Sequence, residues 1–280
     1  MGILNGKTAV ITGSSRGLGL GIATTFASEG ASVVLSARTQ VTLDQAVSQL
    51  KARGYQAAGL VCNTSDAAQV EALAEYSIQQ FGHIDIWVNN AGVGAPYGST
   101  LLVPRKSFEN VIHTNILGVY YGSTTALKYM LAQHSGKLIN LVGRGEDGPV
   151  PFQNAYASSK IWVRSFTLSL AKEYAQSGVG VFAFNPGLVQ TDMTGQIEVC
   201  EGFDEKVKPL NTVMRLWSNP PDVPAKKALW LASSATDGKT GLNVNVLSPA
   251  QLLGGALKEL GRKLTGKASP IPDALIKVVK

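Results

Sequence analysis

The sequence predicts an α/β protein built on a doubly wound parallel sheet, folded as a single domain with helices on both faces. Its apolar segments, such as SVVLS, IDIWVNN and GVFAF, are apolar at consecutive residues and do not alternate between apolar and polar ones. This pattern indicates strands that are buried on both faces. Helical patterns separate these strands, such as TLDQAVSQLKARG after SVVLS, and repeated strand–helix–strand units produce a parallel sheet. A chain of 280 residues, 45% of them hydrophobic, can bury one substantial core.

The first strand, TAVIT, leads into the glycine-rich turn TGSSRGLGLG, which opens a helical pattern. Its glycines permit positive φ and a close approach of the backbone to a pyrophosphate, while the helix directs its free N–H groups at the phosphates. At a first strand-to-helix junction this pattern indicates a dinucleotide site; the alternative is a tight turn that only packs the helix closely. The predicted cofactor contacts here are Gly13, Ser15, Arg16, Gly17, Leu18 and Gly19.

The second strand ends in Ala37 and Arg38, where an acidic residue would ordinarily bind both ribose hydroxyls of NAD. Arg16 lies inside the glycine turn, so two guanidinium groups can converge on a 2′-phosphate, whose geometry matches their planar fork. Either arginine alone would be an ordinary surface charge. The pair and the missing acid together predict NADP(H) as the cofactor.

Further motifs follow in order along the chain. They are NNAG (Asn89 to Gly92), TNILG with Asn115, YASSK with Tyr156 and Lys160, and PGLVQT (Pro186 to Thr191). With the glycine turn, and over about residues 5 to 248, they resemble the short-chain dehydrogenase/reductases, in the single-domain class that includes many 3-oxoacyl carrier-protein reductases. The resemblance implies a Rossmann-type catalytic domain, which we place at residues 1–250.

The resemblance also implies roles for residues on the cofactor side. Asn90 and its neighbours support the cofactor side of the sheet, and Thr191 is placed near the nicotinamide carboxamide. Asn63 stands where an adenine-contacting aspartate is common; its amide can still hydrogen-bond the adenine amino group. The cofactor contacts expected beyond the glycine turn are Arg38, Asn63, Asn90, Ala91, Gly92, Tyr156, Lys160, Pro186, Gly187, Val189 and Thr191.

Tyr156 and Lys160 are four residues apart, hence on one helical face, where the ammonium charge can stabilise tyrosinate. An unperturbed tyrosine titrates near ~10, so this cation and the positive nicotinamide of the oxidised cofactor bring the phenol into a useful range. In the family that the sequence resembles, the matching lysine also holds the nicotinamide ribose, and the residue at Asn115 anchors a water that resupplies protons. A bare Tyr-x-x-x-Lys pair is more often structural, but the surrounding motifs favour catalysis here.

The resemblance breaks at the residue that should polarise the substrate. Gly143 stands at the serine position of the family, with Val142 before it. Losing such a donor typically costs roughly 10²–10³ in rate. The backbone N–H of Gly143 or Arg144, the Arg144 guanidinium, or a group or water brought by the substrate could replace it. We prefer Arg144 or the local backbone; the alternative is that Arg144 pairs with Glu146 or Asp147 on the surface.

Residues 186–224 interrupt the strand–helix rhythm with five prolines, and a connection this long is usually functional. We expect a mobile lid over the substrate site. Its apolar residues either line a pocket or only pack the lid against the domain, and both readings stay open. They are Met193, Ile197, Val199, Phe203, Leu210, Met214, Leu216 and Trp217.

We treat residues 251–280 as a basic C-terminal extension, because they carry six basic and two acidic residues within a total net charge of +6. Leu253, Leu257, Leu260 and Leu264 share one helical face, so the extension could dock on its own domain, on another subunit or on an anionic surface. A packed helix with a solvated basic face is favoured. The basic residues are Lys258, Arg262, Lys263, Lys267, Lys277 and Lys280.

Other features argue against other classes of protein. Cys62 and Cys200 are too few for a disulfide framework, which indicates reduced thiols and a cytoplasmic protein, and we expect neither a signal peptide nor an integral membrane segment. The cations are not interleaved with aromatic residues, so nucleic acid is not expected. The three histidines show no metal-ligand spacing and no serine lies in a nucleophile elbow, so neither a metal site nor a hydrolase is expected. These histidines are His83, His113 and His134.

Together the residues predict an NADPH-dependent carbonyl reductase, or an alcohol dehydrogenase in reverse, that acts on a ketone, aldehyde or secondary alcohol. The alternative is a non-catalytic NADP(H)-binding sensor or assembly module that lost turnover along with the serine. Retention of Asn115, Tyr156 and Lys160 argues against that alternative. A small-molecule carbonyl or alcohol is the expected partner, and the resemblance implies a homo-oligomer, dimer or tetramer.

Overall fold

The computed structural model describes residues 2–247, 249–265, 269 and 271–279, without the side chains at 249–252, 258, 260 and 263. The strands are β1 (Thr8–Ile11), β2 (Ser32–Ala37), β3 (Ala57–Val61), β4 (Ile86–Asn89), β5 (Gly136–Leu141), β6 (Val179–Asn185), β7 (Leu188–Val189), β8 (Gln196–Cys200), β9 (Ser218–Asn219), β10 (Asn243–Asn245) and β11 (Leu275–Val279). The α-helices are α1 (Gly17–Ser28), α2 (Gln40–Ala52), α3 (Ala67–Phe81), α4 (Arg105–Val111), α5 (Gly118–Ala132), α6 (Asn154–Glu173), α7 (Asp192–Gly195), α8 (Asp204–Val207), α9 (Pro209–Trp217), α10 (Asp222–Ala232) and α11 (Pro249–Leu264). A π-helical segment spans Ile112–Leu117, and a 3-10 turn spans Ser234–Thr236.

Seven strands form one parallel sheet in the order β3-β2-β1-β4-β5-β6-β10. Val10 on β1 lies between Val34 on β2 and Trp87 on β4. The winding direction reverses between β1 and β4, and in such sheets ligands bind beyond the carboxyl ends of the strands at this switch point. The predicted doubly wound sheet is confirmed.

Adjacent residues on each strand point to opposite faces, so each strand contributes to two cores. Ile11 on β1 packs with Phe26 of α1 in one core, whereas Val10 packs with Leu73 of α3 in the other. Because helices cover both faces, the strands are apolar along their whole length rather than on alternate residues. No helix within the described ranges is long and apolar enough to cross a membrane.

The predicted lid at residues 186–224 is built of short elements, from β7 to the start of α10, rather than of irregular chain. Val199 and Phe203 are buried in a cluster with Cys200 and Val207. Met193 is 51% exposed instead. Val199 and Phe203 therefore pack with other residues of this segment.

The C-terminal extension docks on this lid. Strand β11 pairs in parallel with β8 of the lid. Arg215 of α9 forms an ion pair with Asp273, and the backbone N–H of Ala274 donates to Asn211 Oδ1 at 3.0 Å. The sequence left three docking surfaces open for the extension: its own domain, another subunit or an anionic surface. The structure shows that the extension docks on its own chain.

The leucine face of the extension lies on α11, where Leu253, Leu257 and Leu264 are exposed. Arg262 of the same helix binds Glu259 through two hydrogen bonds of 2.6 and 2.7 Å. Lys277 of β11 lies 3.4 Å from Glu198 of β8. The other predicted residues of the extension lie outside the described part of the chain. They are the side chains of Lys258, Leu260 and Lys263, and the residues Lys267 and Lys280.

Candidate active site

The glycine-rich turn closes tightly between β1 and α1. Gly13 and Gly17 adopt φ angles of +62° and +57°, in a region that residues with a side chain rarely enter. A Cβ on Gly19 would lie 2.5 Å from Asn90 Nδ2, and one on Gly13 would lie 2.9 Å from the α-carbon of Ala91. The turn therefore has no room for side chains at Gly13 and Gly19.

The NNAG motif ties this turn to the end of β4. Asn90 Nδ2 donates to the carbonyl oxygens of Thr12 and Gly13 at 2.8 and 3.0 Å. The backbone N–H groups of Asn90 and Ala91 both donate to Thr12 Oγ1. The N-cap residue of α1 is Arg16, and its side chain does not cap the first N–H groups of this helix. A fixed turn before an uncapped helix N-terminus is a phosphate-binding arrangement.

The two arginines predicted to meet at a 2′-phosphate have different surroundings. Arg38 is exposed just beyond β2 and forms no ion pair with any described residue. Arg16 Nη1 lies 3.0 Å from Asp192 Oδ2, with both side chains largely exposed. Arg16 thus joins the glycine turn to α7 at the start of the lid. This contact, and the part played by Asp192, had no sign in the sequence.

The PGLVQT loop lies beside the glycine turn. Gly187 adopts a φ of +69°, and its N–H donates to Asn185 Oδ1 at 2.9 Å. Val189 is buried. Thr191 approaches the turn closely, because a Cβ on Gly17 would lie 3.2 Å from Thr191 Cγ2. The loop and the glycine turn therefore border the same crevice.

Asn63 lies just beyond β3 and is exposed. Its Oδ1 accepts from the N–H of Ser65 at 3.2 Å, and its own N–H donates to Gln69 Oε1 at 2.8 Å. The side-chain oxygen therefore caps its own turn. The side-chain nitrogen, Asn63 Nδ2, forms no hydrogen bond with the part of the chain that the structure describes.

Tyr156 and Lys160 lie in the first two turns of α6, next to the end of β5. Lys160 is 5% exposed, and its Nζ donates to the Leu141 carbonyl oxygen at 3.0 Å and lies 5.5 Å from the centre of the Tyr156 ring. Burial raises the pKa of Tyr156 to about 12. Burial also lowers the pKa of Lys160 to about 8, although the negative charge of Glu146 acts in the opposite direction and raises this pKa. The phenol therefore holds its proton at neutral pH, and the lowering of its pKa that the sequence predicts from Lys160 is not among the causes of this shift, which is due to burial alone.

Asn115 is fully buried in the π-helical segment between α4 and α5. Its Oδ1 accepts from the N–H of Val93 at 2.9 Å, and its Nδ2 donates to the Val93 carbonyl oxygen at 3.0 Å and to Ser159 Oγ at 3.1 Å. A Cβ on Gly92 would lie 3.5 Å from Asn115 Oδ1 and 3.9 Å from Lys160 Nζ. The structure therefore brings Gly92, Asn115 and Lys160 together, and Ser159 joins them without having been predicted.

Gly143 lies next to Tyr156 and Lys160. A Cβ on Gly143 would lie 2.9 Å from Tyr156 Oη and 3.9 Å from Lys160 Cε. The N–H groups of Gly143 and Arg144 form no backbone hydrogen bond within the described ranges. Two unpaired donors thus belong to the residues next to the Tyr156 hydroxyl.

The surface pair proposed as an alternative for Arg144 does not form. Glu146 is only 5% exposed, and its Oε1 accepts from Asn185 Nδ2 at 2.5 Å. Asp147 lies 3.6 Å from Arg164 instead. Arg144 is exposed and has no ion-pair partner among the described residues. The sequence motif EDG resembles a solvated turn, so the burial of Glu146 was missed.

A pocket beside Tyr156 has a mainly apolar lining that includes Pro96, Val103 and Phe108. Val103 also packs against the buried cluster of the lid. Val103 therefore contacts both this pocket and the buried cluster. No group of three His, Cys, Asp or Glu side chains able to hold a metal occurs in the described ranges.

Comparisons with known proteins agree with this geometry. The family model for short chain dehydrogenases matches residues 7–201. The (S)-acetoin forming diacetyl reductase of Staphylococcus epidermidis is 31% identical over 253 residues, which cover 85% of this chain and 96% of that protein.

Two solved structures have the same fold. The 3-ketoacyl-(acyl-carrier-protein) reductase from Brucella melitensis, complexed with NADH, has a TM-score of 0.77 at 29% identity and covers 87% of this chain and 97% of its own. A variant of the actinorhodin polyketide ketoreductase with NADPH has a TM-score of 0.78 at 27% identity, covering 86% and 95%. The chain therefore belongs to the short-chain dehydrogenase family of oxidoreductases, the family that its motifs predict.

Proposed function

We propose that the protein is an NADPH-dependent carbonyl reductase, which in reverse oxidises a secondary alcohol. The observation that supports this most is the position of the Tyr156 ring, whose centre lies 5.5 Å from the Nζ of the buried Lys160. A protein that only binds a dinucleotide has no need of a proton donor at this place.

A nicotinamide dinucleotide fits the residues present. The glycine turn leaves its backbone free of side chains, the N-terminus of α1 is uncapped, and the two solved relatives contain NADH or NADPH. The choice of NADPH rests on Arg38, which is exposed where an acid would select NAD. Arg16 can exchange its exposed partner Asp192 for the 2′-phosphate, because an exposed ion pair contributes only about 0–1 kcal/mol.

The chain's own residues carry the proton. When bound, the nicotinamide supplies the hydride that reduces the carbonyl carbon. Tyr156 donates its phenolic proton to the carbonyl oxygen, and the charge of Lys160 stabilises the tyrosinate that remains. Asn115 holds the Val93 backbone beside them and supports the return of a proton from solvent. In the oxidation direction Tyr156 accepts the proton of the alcohol.

The donor that polarises the carbonyl comes from the turn after β5. The unpaired N–H groups of Gly143 and Arg144 follow β5 directly, and Gly143 touches the phenol. We propose that these N–H groups, or the exposed guanidinium of Arg144, take the place of the serine hydroxyl. The lining at Pro96, Val103 and Phe108 is apolar, and we propose that the substrate is an apolar carbonyl compound.

The test is NADPH oxidation, followed by absorbance, with a panel of ketones, quinones and 3-oxoacyl thioesters. We expect turnover with at least one class and a fall of roughly 10²–10⁴ in kcat for Tyr156→Phe, which removes only the proton donor. Tight NADPH binding without turnover in either protein would favour the non-catalytic sensor instead.

We also propose that the protein works in the cytoplasm as a homo-oligomer. Large apolar side chains are exposed on neighbouring helices, namely Phe108 on α4, Tyr120 on α5 and Ile161 on α6. A second copy would cover them. Light scattering on the purified protein gives the mass, and a monomer at micromolar concentration would contradict this proposal.

A further inference from the structure

The pocket beside Tyr156 contains a polar side chain that the proposed reaction does not use. Gln153, at the N-terminal end of α6, lines this pocket together with Pro96, Val103 and Phe108. Its side-chain oxygen, Oε1, is buried and has no hydrogen-bond partner in the part of the chain that the structure describes. A buried acceptor without a partner costs free energy, which a bound hydrogen-bond donor would recover.

Two other polar residues of the lining already have partners. Asn154 Nδ2 donates to Thr100 Oγ1 at 3.2 Å, and both residues line the pocket. Asn154 Oδ1 also accepts from Ser158 Oγ at 3.2 Å. Apart from Tyr156, Gln153 is therefore the polar residue of this lining whose side chain has no partner among the described residues.

Gln153 also has no role in capping the helix that would explain its side chain. It is the N-cap residue of α6, where a polar side chain can accept from the first N–H groups, yet it forms no such bond. Only its backbone serves the helix, because its carbonyl oxygen accepts from the N–H of Ala157 at 2.9 Å. The side-chain amide is therefore left for a ligand.

The residue before Gln153 has a strained backbone. Phe152 adopts a φ of +66°, in a region that residues with a side chain rarely enter, and such positions cluster at active sites and ligand clamps. Its carbonyl oxygen accepts from the N–H of Gly98 at 2.9 Å, and its ring centre lies 5.1 Å from that of Phe203. These contacts hold the backbone from which Gln153 reaches the pocket.

The lining also restricts the kind of donor that fits. None of the described residues that line the pocket is charged. A buried ammonium group needs a carboxylate beside it, and a buried carboxylate needs a basic group. A neutral O–H or N–H needs only an acceptor, which the side-chain oxygen of Gln153 supplies.

We propose that Gln153 is a specificity-determining residue whose side-chain oxygen accepts a hydrogen bond from a neutral donor on the substrate. The substrate is then a carbonyl compound whose otherwise apolar chain carries a hydroxyl or an amide N–H. A compound without this donor leaves the buried oxygen unpaired in the complex and reacts more slowly. The inference rests on the proposed function, but the contact itself can be measured by binding alone.

The first test compares four carbonyl compounds of equal chain length as substrates of the wild-type protein with NADPH. They are an unsubstituted ketone and its hydroxy, acylamino and methoxy derivatives. We expect the hydroxy or the acylamino ketone to exceed the unsubstituted ketone by roughly 10–10² in kcat/KM, and the better of the two identifies the donor. The methoxy ketone has an oxygen but no donor, so it should show no advantage. An equal advantage for the methoxy ketone, or no advantage for either donor, would overturn the inference.

The second test removes the acceptor. Gln153→Leu keeps a side chain of similar volume, and its preference for the donor-bearing ketone should fall to about one. The matched control is Asn154→Leu, which removes an amide that is already bonded to Thr100 and should keep the preference of the wild type. The same loss of preference in both variants, or no loss in Gln153→Leu, would contradict the proposal.

A third measurement needs no turnover. We label Tyr156→Phe with ¹³C at glutamine Cδ, saturate it with NADPH, and identify the Gln153 signal by its loss in Gln153→Leu or Gln153→Glu. The donor-bearing ketone should shift this signal further than the unsubstituted ketone does at saturation, and equal shifts would overturn the inference. A wild-type protein that reduces no carbonyl would refute the proposed function, while this titration would still test the contact. The two failures are therefore distinguishable.

Discussion

The hydroxyl of Tyr156 lies against the bare α-carbon of Gly143, where a Cβ would stand 2.9 Å from Oη. This is closer than real Cβ atoms approach an oxygen, so any side chain at this position displaces the phenol by a few tenths of an ångström. A side chain at residue 143 would therefore also move the Tyr156 hydroxyl, which we propose as the proton donor.

Gly143→Ala and Gly143→Ser separate these two effects, because both add the same Cβ and only serine adds a hydroxyl. We expect Gly143→Ala to lower kcat by roughly 10-fold through displacement of Tyr156, since small misplacements of a catalytic group are costly. Gly143→Ser should exceed Gly143→Ala by about 10-fold or more, because its hydroxyl supplies an oxyanion donor. Equal rates in steady-state assays of the two variants would contradict the placement of residue 143 at the substrate oxygen.

Arg144 is exposed and unpaired among the described residues, which leaves its guanidinium free to turn towards the substrate. If it stabilises the developing charge, Arg144→Ala lowers kcat/KM by roughly 10–10². Arg53→Ala, at an exposed arginine after α2, is the matched control and should retain full activity. Unchanged kinetics in Arg144→Ala would assign the donor role to the backbone N–H groups.

Arg38 is the residue on which the choice of cofactor depends. Arg38→Ala should weaken NADPH binding by roughly 10–10² in Kd, the contribution of a charge-assisted contact with a phosphate, and leave NADH binding unchanged. Fluorescence titration with both cofactors measures this difference. A parallel loss of affinity for NADH and NADPH would rule out a 2′-phosphate contact.

Lys160 illustrates the cost of keeping a charge in the proposed active site. Its pKa falls from 10.5 to about 8 in the folded protein, which by linkage destabilises the fold by roughly 3 kcal/mol while the lysine is charged. Lys160→Met loses the bond to Leu141, worth about 1 kcal/mol, and should still be more stable at pH 7 by about 2 kcal/mol.

The size of this effect changes with pH in a defined way. The penalty in the wild type is complete below pH 8 and disappears as pH rises towards 10.5, because the folded protein releases the proton before the unfolded chain does. Urea unfolding at pH 7 and pH 10 should therefore show the advantage of Lys160→Met shrinking. An advantage that grows with pH would contradict a lowered pKa.

The C-terminal strand is predicted to shape the substrate site through the lid. Ile276 of β11 packs on the lid cluster with Val103, which also lines the pocket beside Tyr156. Ile276→Asp should therefore raise KM for the carbonyl substrate several-fold and leave the Kd of NADPH unchanged. Leu275→Asp, on the exposed side of the same strand, is the control and should behave as wild type.

Much of the fold was predictable because it depends on local patterns. Apolar runs such as SVVLS mark strands buried on both faces, and the glycines of the first turn are required by positive φ and close contacts that few other residues satisfy. The four-residue spacing of Tyr156 and Lys160 likewise places both on one side of α6.

The remainder depends on contacts between distant parts of the chain. The pairing of β11 with β8 joins segments about eighty residues apart, and the short run LIKVV carries no sign of its partner. The sequence predicts that Glu146 lies in a solvated turn. Its burial depends on the contact with Asn185 from β6, which only the fold brings beside it. Arg16 had a plausible phosphate role, but its contact with Asp192 depends on how the lid folds back.

The most direct test of the central claim is a single turnover with NADPH that carries deuterium at the transferred position of the nicotinamide, with mass analysis of the product alcohol. Wild-type protein should give an alcohol one mass unit heavier, deuterated at the carbinol carbon, and Tyr156→Phe should bind the cofactor with the same Kd yet form this product at least about 10²-fold more slowly. Product without deuterium, or equal rates in the two proteins, would contradict hydride transfer completed by the Tyr156 proton.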